Sequence, residues 1–114
     1  MLVLVSNRLG LKRVPPEYFE PIRAFCMTDF NCGIIGGRPK EAFYLVGIQG
    51  QNMILLDPHN VHEAFANNPN DMRENHWNMH ERQAKKIPFT KLDPTMTFGI
   101  YLRNKKDFAA FKVW

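Results

Sequence analysis

The sequence predicts an α+β domain in which antiparallel strands are flanked by helices. Three observations predict it. Apolar runs of strand length recur at Leu2–Ser6, Ala42–Gln49, Met53–Leu56 and Thr97–Leu102. Only Gly50, Gln51 and Asn52 separate the second run from the third, a connection short enough for a hairpin. Between Tyr18 and Cys26 the apolar residues repeat instead at helical spacing. With 114 residues the chain has room for one small domain, and 45% apolar content is that of a globular chain.

Taken in order, Leu2–Ser6 reads as a strand buried on both faces, because it is apolar without alternation. Asn7–Val14 is a basic connector. Pro15-Pro16-Glu17 has the proline and acid of a helix start. Tyr18, Phe19, Ile22, Phe25 and Cys26 then form one stripe. Pro21 kinks a helix that starts at Pro16 but costs little in the first turn of one that starts near Phe19. Asn31-Cys32-Gly33 reads as the end of that unit, and Gly36-Gly37-Arg38-Pro39 as a turn or mobile loop. The Ala42 and Met53 strands follow. Asn60–Ile87 is polar and irregular, broken at Asn67-Asn68-Pro69-Asn70-Asp71. After the Thr97 strand, Asp107 is placed to cap a last short helix that carries Phe108 and Phe111.

Composition narrows the function classes. The net charge is +4, but the lysines and arginines are spread along the chain. The densest group, Arg82, Lys85 and Lys86, lacks the interleaved aromatics of a nucleic-acid face. It reads as a solvated loop, with attraction to an acidic protein partner left open. No run has the length of a membrane helix. Met1–Val5 lacks the basic flank and cleavage site of a signal peptide. Two cysteines and no Asn-x-Ser/Thr sequon fit a reducing, cytoplasmic setting.

Asp57-Pro58-His59 closes the Met53 strand and carries the most chemistry. In an extended segment, residues two apart project from one face. Pro58 also favours extended backbone at Asp57. Both side chains then reach one cleft, where a carboxylate orients an imidazole and supports its protonated form. A lone Asp-x-His pair is equally the frame of an ordinary polar turn. His59 with His62, and His76 with His80, have metal-ligand spacing, but no cysteine partners and no His-Glu-x-x-His order accompany them. No metal and no cofactor are therefore expected. Cys26 falls at the end of the expected helix, where the dipole disfavours a thiolate. Cys32, beside Gly33, is the freer of the two and a minor candidate for a nucleophile. Gly36-Gly37-Arg38-Pro39 lacks the Gly-Lys-Ser/Thr of a phosphate loop and reads as a flap.

Together these segments resemble one family. Gly33-Ile34-Ile35-Gly36-Gly37-Arg38-Pro39, then Tyr44-Leu45-Val46-Gly47, then Leu56-Asp57-Pro58-His59 match its signature without a gap. That signature is Gly-x-Ile-Gly-Gly-Lys-Pro, Tyr-Phe-Ile-Gly and Leu-Asp-Pro-His, of the autophagins. These are the cysteine proteases that process the ubiquitin-like modifier of autophagy. Arg8-Leu9-Gly10-Leu11, Leu92-Asp93-Pro94, Gly99 and Asp107-Phe108 extend the resemblance on both sides.

The resemblance implies a papain-like cysteine protease fold, of which residues 1–114 are a C-terminal part carrying the Asp-His half of the site. It implies His59 as general base and acid, Asp57 as its orienting group, and Gly36, Gly37, Arg38 and Pro39 as a flap over the substrate tail. The implied partner is the ubiquitin-like modifier, free or conjugated to phosphatidylethanolamine, with no nucleic acid and no integral membrane segment. The family's nucleophilic cysteine lies upstream of any position matched here, so none is expected in this chain. Asn60-Val61-His62 departs from the family's Thr-Thr-Gln, and Asp29-Phe30-Asn31 from its Pro-Gln-Ser. A second reading is a non-catalytic module that holds the modifier without cutting it. A third is a small basic scaffold.

Overall fold

The computed structural model describes residues 1–61 and 83–114. The expected histidine pairs rest on His62, His76 and His80 and lie outside these residues, as does Arg82. The elements run β1 (Leu2–Arg8), a 3-10 turn (Pro16–Tyr18), α1 (Phe19–Cys26), β2 (Asn31–Arg38), β3 (Glu41–Gln49) and β4 (Asn52–Leu56). They continue with β5 (Lys85–Pro88), a second 3-10 turn (Phe89–Lys91), β6 (Thr95–Tyr101) and α2 (Lys105–Val113). The strands form one sheet in the order β1-β6-β2-β3-β4-β5, and each neighbouring pair is antiparallel. The α+β class is as the sequence predicts.

α1 starts at Phe19, so Pro21 is its third residue. The missing N–H of Pro21 is among those a first turn leaves without an intrahelical acceptor. Ile22 and Phe25 are buried against the sheet, and Phe25 meets Phe98 of β6 edge-on at 5.2 Å between centroids. Burying side chains of this size stabilises by about 1.5–3 kcal/mol each. The same sheet face contributes Ile34, Phe43, Leu45, Met53, Leu55 and Ile87 to the core. α2 packs beside it through Phe111 and Trp114, which surround Phe30.

Four expectations change. Leu2–Ser6 does not become a strand buried on both faces. In the described sheet β1 is the outermost strand and pairs with β6 alone. α1 lies on the opposite side of the sheet, so Leu2 is 60% exposed and Leu4 58%. Asn31–Gly37 is not a unit end followed by a loop but a central strand, β2. Its glycines hide this, since glycine has low strand propensity. Gly33 adopts φ +105°, and a Cβ there would lie 2.2 Å from the Tyr44 ring. Gly37 adopts φ +148°, and a Cβ there would meet the Glu41 carbonyl oxygen at 2.0 Å. Lys85–Ile87, the end of the stretch expected to be irregular, pairs with β4 as part of β5. The cap of α2 is Asn104, whose Oδ1 accepts the N–H groups of Lys106 (2.9 Å) and Asp107 (3.0 Å). Asp107 sits inside the first turn instead and binds Arg103.

Candidate active site

The β3–β4 hairpin carries Asp57 and His59 to one corner of the sheet. The two side chains meet there, by a different route from extended backbone. β4 ends at Leu56, and Asp57-Pro58-His59 turns. Asp57 Oδ1 accepts the backbone N–H of His59 at 2.9 Å and the ring Nδ1 at 2.5 Å. An aspartate that binds its own backbone two residues on makes an Asx turn, which folds locally without tertiary help.

The hydrogen bonds from His59, and then the nearby Lys85 charge, hold the Asp57 carboxyl below its ordinary value. Asp57 is therefore an ionised acceptor, and Nδ1 must carry the hydrogen between them. In the neutral form of the ring, Nε2 is then the nitrogen without a hydrogen. The imidazole is about half exposed, so a reactant can reach it.

Phe43 braces the ring edge-on at 5.7 Å between centroids. The Arg38 guanidinium lies over the same Phe43 ring, 5.8 Å from its centroid. Sequence reading missed Phe43, and the reason is a bulge. Counting back from Gly50-Gln51 pairs Gly47 with Ile54, but the register then slips so that Leu45 faces Leu55 and Tyr44 faces Leu56. The extra residue, Val46, moves Phe43 rather than Tyr44 level with Asp57.

A cleft of about 350 Å³ opens beside the pair, lined in part by Arg38, Phe43, Leu55, Asp57, Lys85 and Lys91. A larger hollow of about 630 Å³ lies between residues 27–30 and α2. Neither Asp57 nor His59 lines it, whereas Asp57 lines the smaller cleft, so the chemistry favours the smaller one.

The Gly-Gly-Arg-Pro segment borders the cleft at one residue, Arg38. Gly36 and Gly37 belong to β2, and only Pro39 and Lys40 form the turn. Arg38 pairs with Glu41 across it. The Asp93 N–H donates to the Gly37 carbonyl oxygen at 2.8 Å and fastens the hairpin's base. Of the two expectations for this segment, a turn or a mobile loop, the structure shows a turn confined to Pro39 and Lys40 at a hairpin tip.

Neither cysteine faces His59. Burial pushes the Cys26 thiol up to about 11. Cys32 Sγ packs over Gly99, whose neighbours Phe98 and Ile100 face the core. Cys32 therefore sits on the other side of the sheet from Phe43 and His59. Its position on β2 is four residues from Gly36, the partner of Phe43, or about 13 Å along a strand.

Comparison with known proteins identifies the family of this chain. The family model for the Peptidase C54 catalytic domain matches residues 1–113. Cysteine protease ATG4C of Xenopus laevis is 38% identical over 112 residues, covering 95% of this chain and 24% of its own. Probable cysteine protease ATG4 of Coccidioides immitis is 34% identical over 113 residues, covering 97% and 26%. Human cysteine protease ATG4C is 34% identical over 108 residues, covering 95% and 23%. The chain spans about a quarter of the length of these relatives. This chain belongs to the Peptidase C54 family.

Proposed function

We propose that this chain supplies the Asp-His half of a thiol endopeptidase of the autophagy pathway. The observation that carries the reading is the Asp57–His59 pair, with Nδ1 held, the imidazole about half exposed and Asp57 lining a cleft. His59 takes the proton of a cysteine thiol from outside these 114 residues. The thiolate attacks the carbonyl after a glycine near the C-terminus of a ubiquitin-like modifier. His59 then protonates the departing amine, which is a peptide nitrogen in the precursor and phosphatidylethanolamine in the lipid conjugate. Water hydrolyses the thioester and frees both thiol and glycine carboxylate. Such a protein works in the cytoplasm. Arg38, at the tip of its hairpin, borders the path of the substrate tail.

The test mixes purified modifier precursor with this chain, alone and joined to a C54 segment that carries a cysteine. Alone, the chain leaves the precursor intact. Joined, it cleaves, and His59→Ala abolishes cleavage. Cleavage by the chain alone that is lost on Cys32→Ala contradicts the proposal. The position of both cysteines away from His59 also favours a second reading, a module that binds the modifier without cutting it. Titration calorimetry with the isolated chain separates the two: micromolar binding with no restorable cleavage supports the module.

A further inference from the structure

The cleft beside Asp57 carries more positive charge than proton transfer uses. Among the described residues its lining holds the cations Arg38, Lys85 and Lys91 against the single carboxylate of Asp57, while Lys86, also at its border, faces Ile54 and so turns its side chain to the other face. Glu41 answers Arg38, and His59 occupies Asp57. Lys85 and Lys91 are exposed. Lys85 faces Leu55 in the β4–β5 register, so it rises on the same side as Asp57, two residues further along. Its charge reaches Asp57 from β5, and that of Arg38 reaches it from the hairpin tip. Below them Phe43, Leu55 and Ile87 make an apolar floor.

We infer that this cleft is a subsite for a glutamate side chain of the polypeptide substrate, held beside the Asp57–His59 pair. The inference rests on the protease reading above. A glutamate lays its methylenes on the floor and its carboxylate among the lysines, which uses both halves of the lining. A bilayer meets protruding cations, and here the cations rim a concavity. Free phosphate would use the rim and leave the floor unfilled. β5 is the outermost strand on this side of the described sheet, so an extended segment can lie along it and turn alternate side chains inward.

The test uses the 114-residue chain and two labelled decapeptides, one with glutamate and one with glutamine at alternate positions between leucines. The glutamate peptide binds roughly tenfold tighter, and high salt narrows the gap. Lys85→Ser with Lys91→Ser removes most of the preference. Lys85→Arg with Lys91→Arg keeps it, and Lys12→Ser, outside the cleft, leaves it unchanged. Equal binding of both peptides, no binding of either, or an equal loss with Lys12→Ser overturns the inference. Lysine-dependent retention on phosphatidylcholine–phosphatidylserine vesicles without a peptide preference also overturns it, in favour of a membrane. Competition by inorganic phosphate at equal strength against both peptides does the same, in favour of a bare anion site. His59→Ala separates this from the parent reading. It abolishes cleavage by the joined protein and spares the glutamate preference. A missing preference with His59-dependent cleavage intact therefore fells the subsite alone.

Discussion

Asp57–His59 and Arg103–Asp107 are built alike and do different work. Each joins an aspartate to a base a few residues away, by side-chain and backbone hydrogen bonds together. Each aspartate is held below its ordinary value by those bonds. Each pair follows the end of a strand. The difference lies in the base and its surroundings. Guanidinium stays protonated at any working pH, so Arg103 can tie down the start of α2 and nothing more. Imidazole gains and loses its proton near neutrality. His59 also has a phenylalanine against its ring and a partner, Asp57, that lines the smaller cleft, whereas Arg103 and Asp107 hold the start of α2 at the edge of the larger hollow. One hydrogen-bond grammar thus yields a fastening in one place and, in the proposed function, a proton carrier in the other.

Breaking that comparison gives graded outcomes. The largest is on turnover. Asp57→Asn keeps the turn but loses the acceptor charge, and cleavage by the joined protein falls by about 10³ with little change in melting. Asp107→Asn leaves cleavage intact. Next comes the sheet that carries both pairs. Gly33→Ala forces a side chain into a left-handed backbone and against Tyr44, and stability falls by about 2 kcal/mol, read by urea unfolding. Smaller again is the cap: Asn104→Ala costs about 1 kcal/mol and loosens amide protection in the first turn of α2 alone.

The smallest effect is in pH. Both aspartates have folded values below the unfolded value of about 3.9. Their contribution is therefore complete above that value and is lost as pH falls through the folded ones. His59→Ala and Arg103→Ala each remove one share, so each flattens the acid limb of the stability curve. High salt weakens both, because the groups are exposed. An acid limb unchanged in either variant contradicts the assigned partner.

The two pairs also differ in how far the sequence reveals them. Asp57 and His59 are local partners, so their spacing is enough to join them. The β3–β4 hairpin is legible for the same reason, through Gly50-Gln51 and the flanking apolar runs. Phe43 is hidden by the bulge at Val46, because one extra residue swaps which side chain stands level with Asp57. Lys85 is hidden by distance along the chain: it reaches the cleft only because β5 returns to pair with β4. β2 is hidden by its glycines, which serve close packing rather than propensity. β1 misleads in the other direction. Its unbroken apolar run suggests cover on both faces, yet Leu2 and Leu4 share the uncovered face with Ile35, Tyr44 and Leu56. Hydropathy reports what a strand tolerates, and sheet order decides what covers it.

The measurement that reaches the central claim most directly compares His59→Ala with Asp107→Ala in the joined protein on modifier precursor. The account predicts that His59→Ala lowers cleavage by 10³ or more, as an order of magnitude for a lost general base, with the melting temperature unchanged. Asp107→Ala should lower the melting temperature and spare cleavage. Near-normal cleavage by His59→Ala would place the proton carrier elsewhere and reduce Asp57–His59 to a turn like its counterpart.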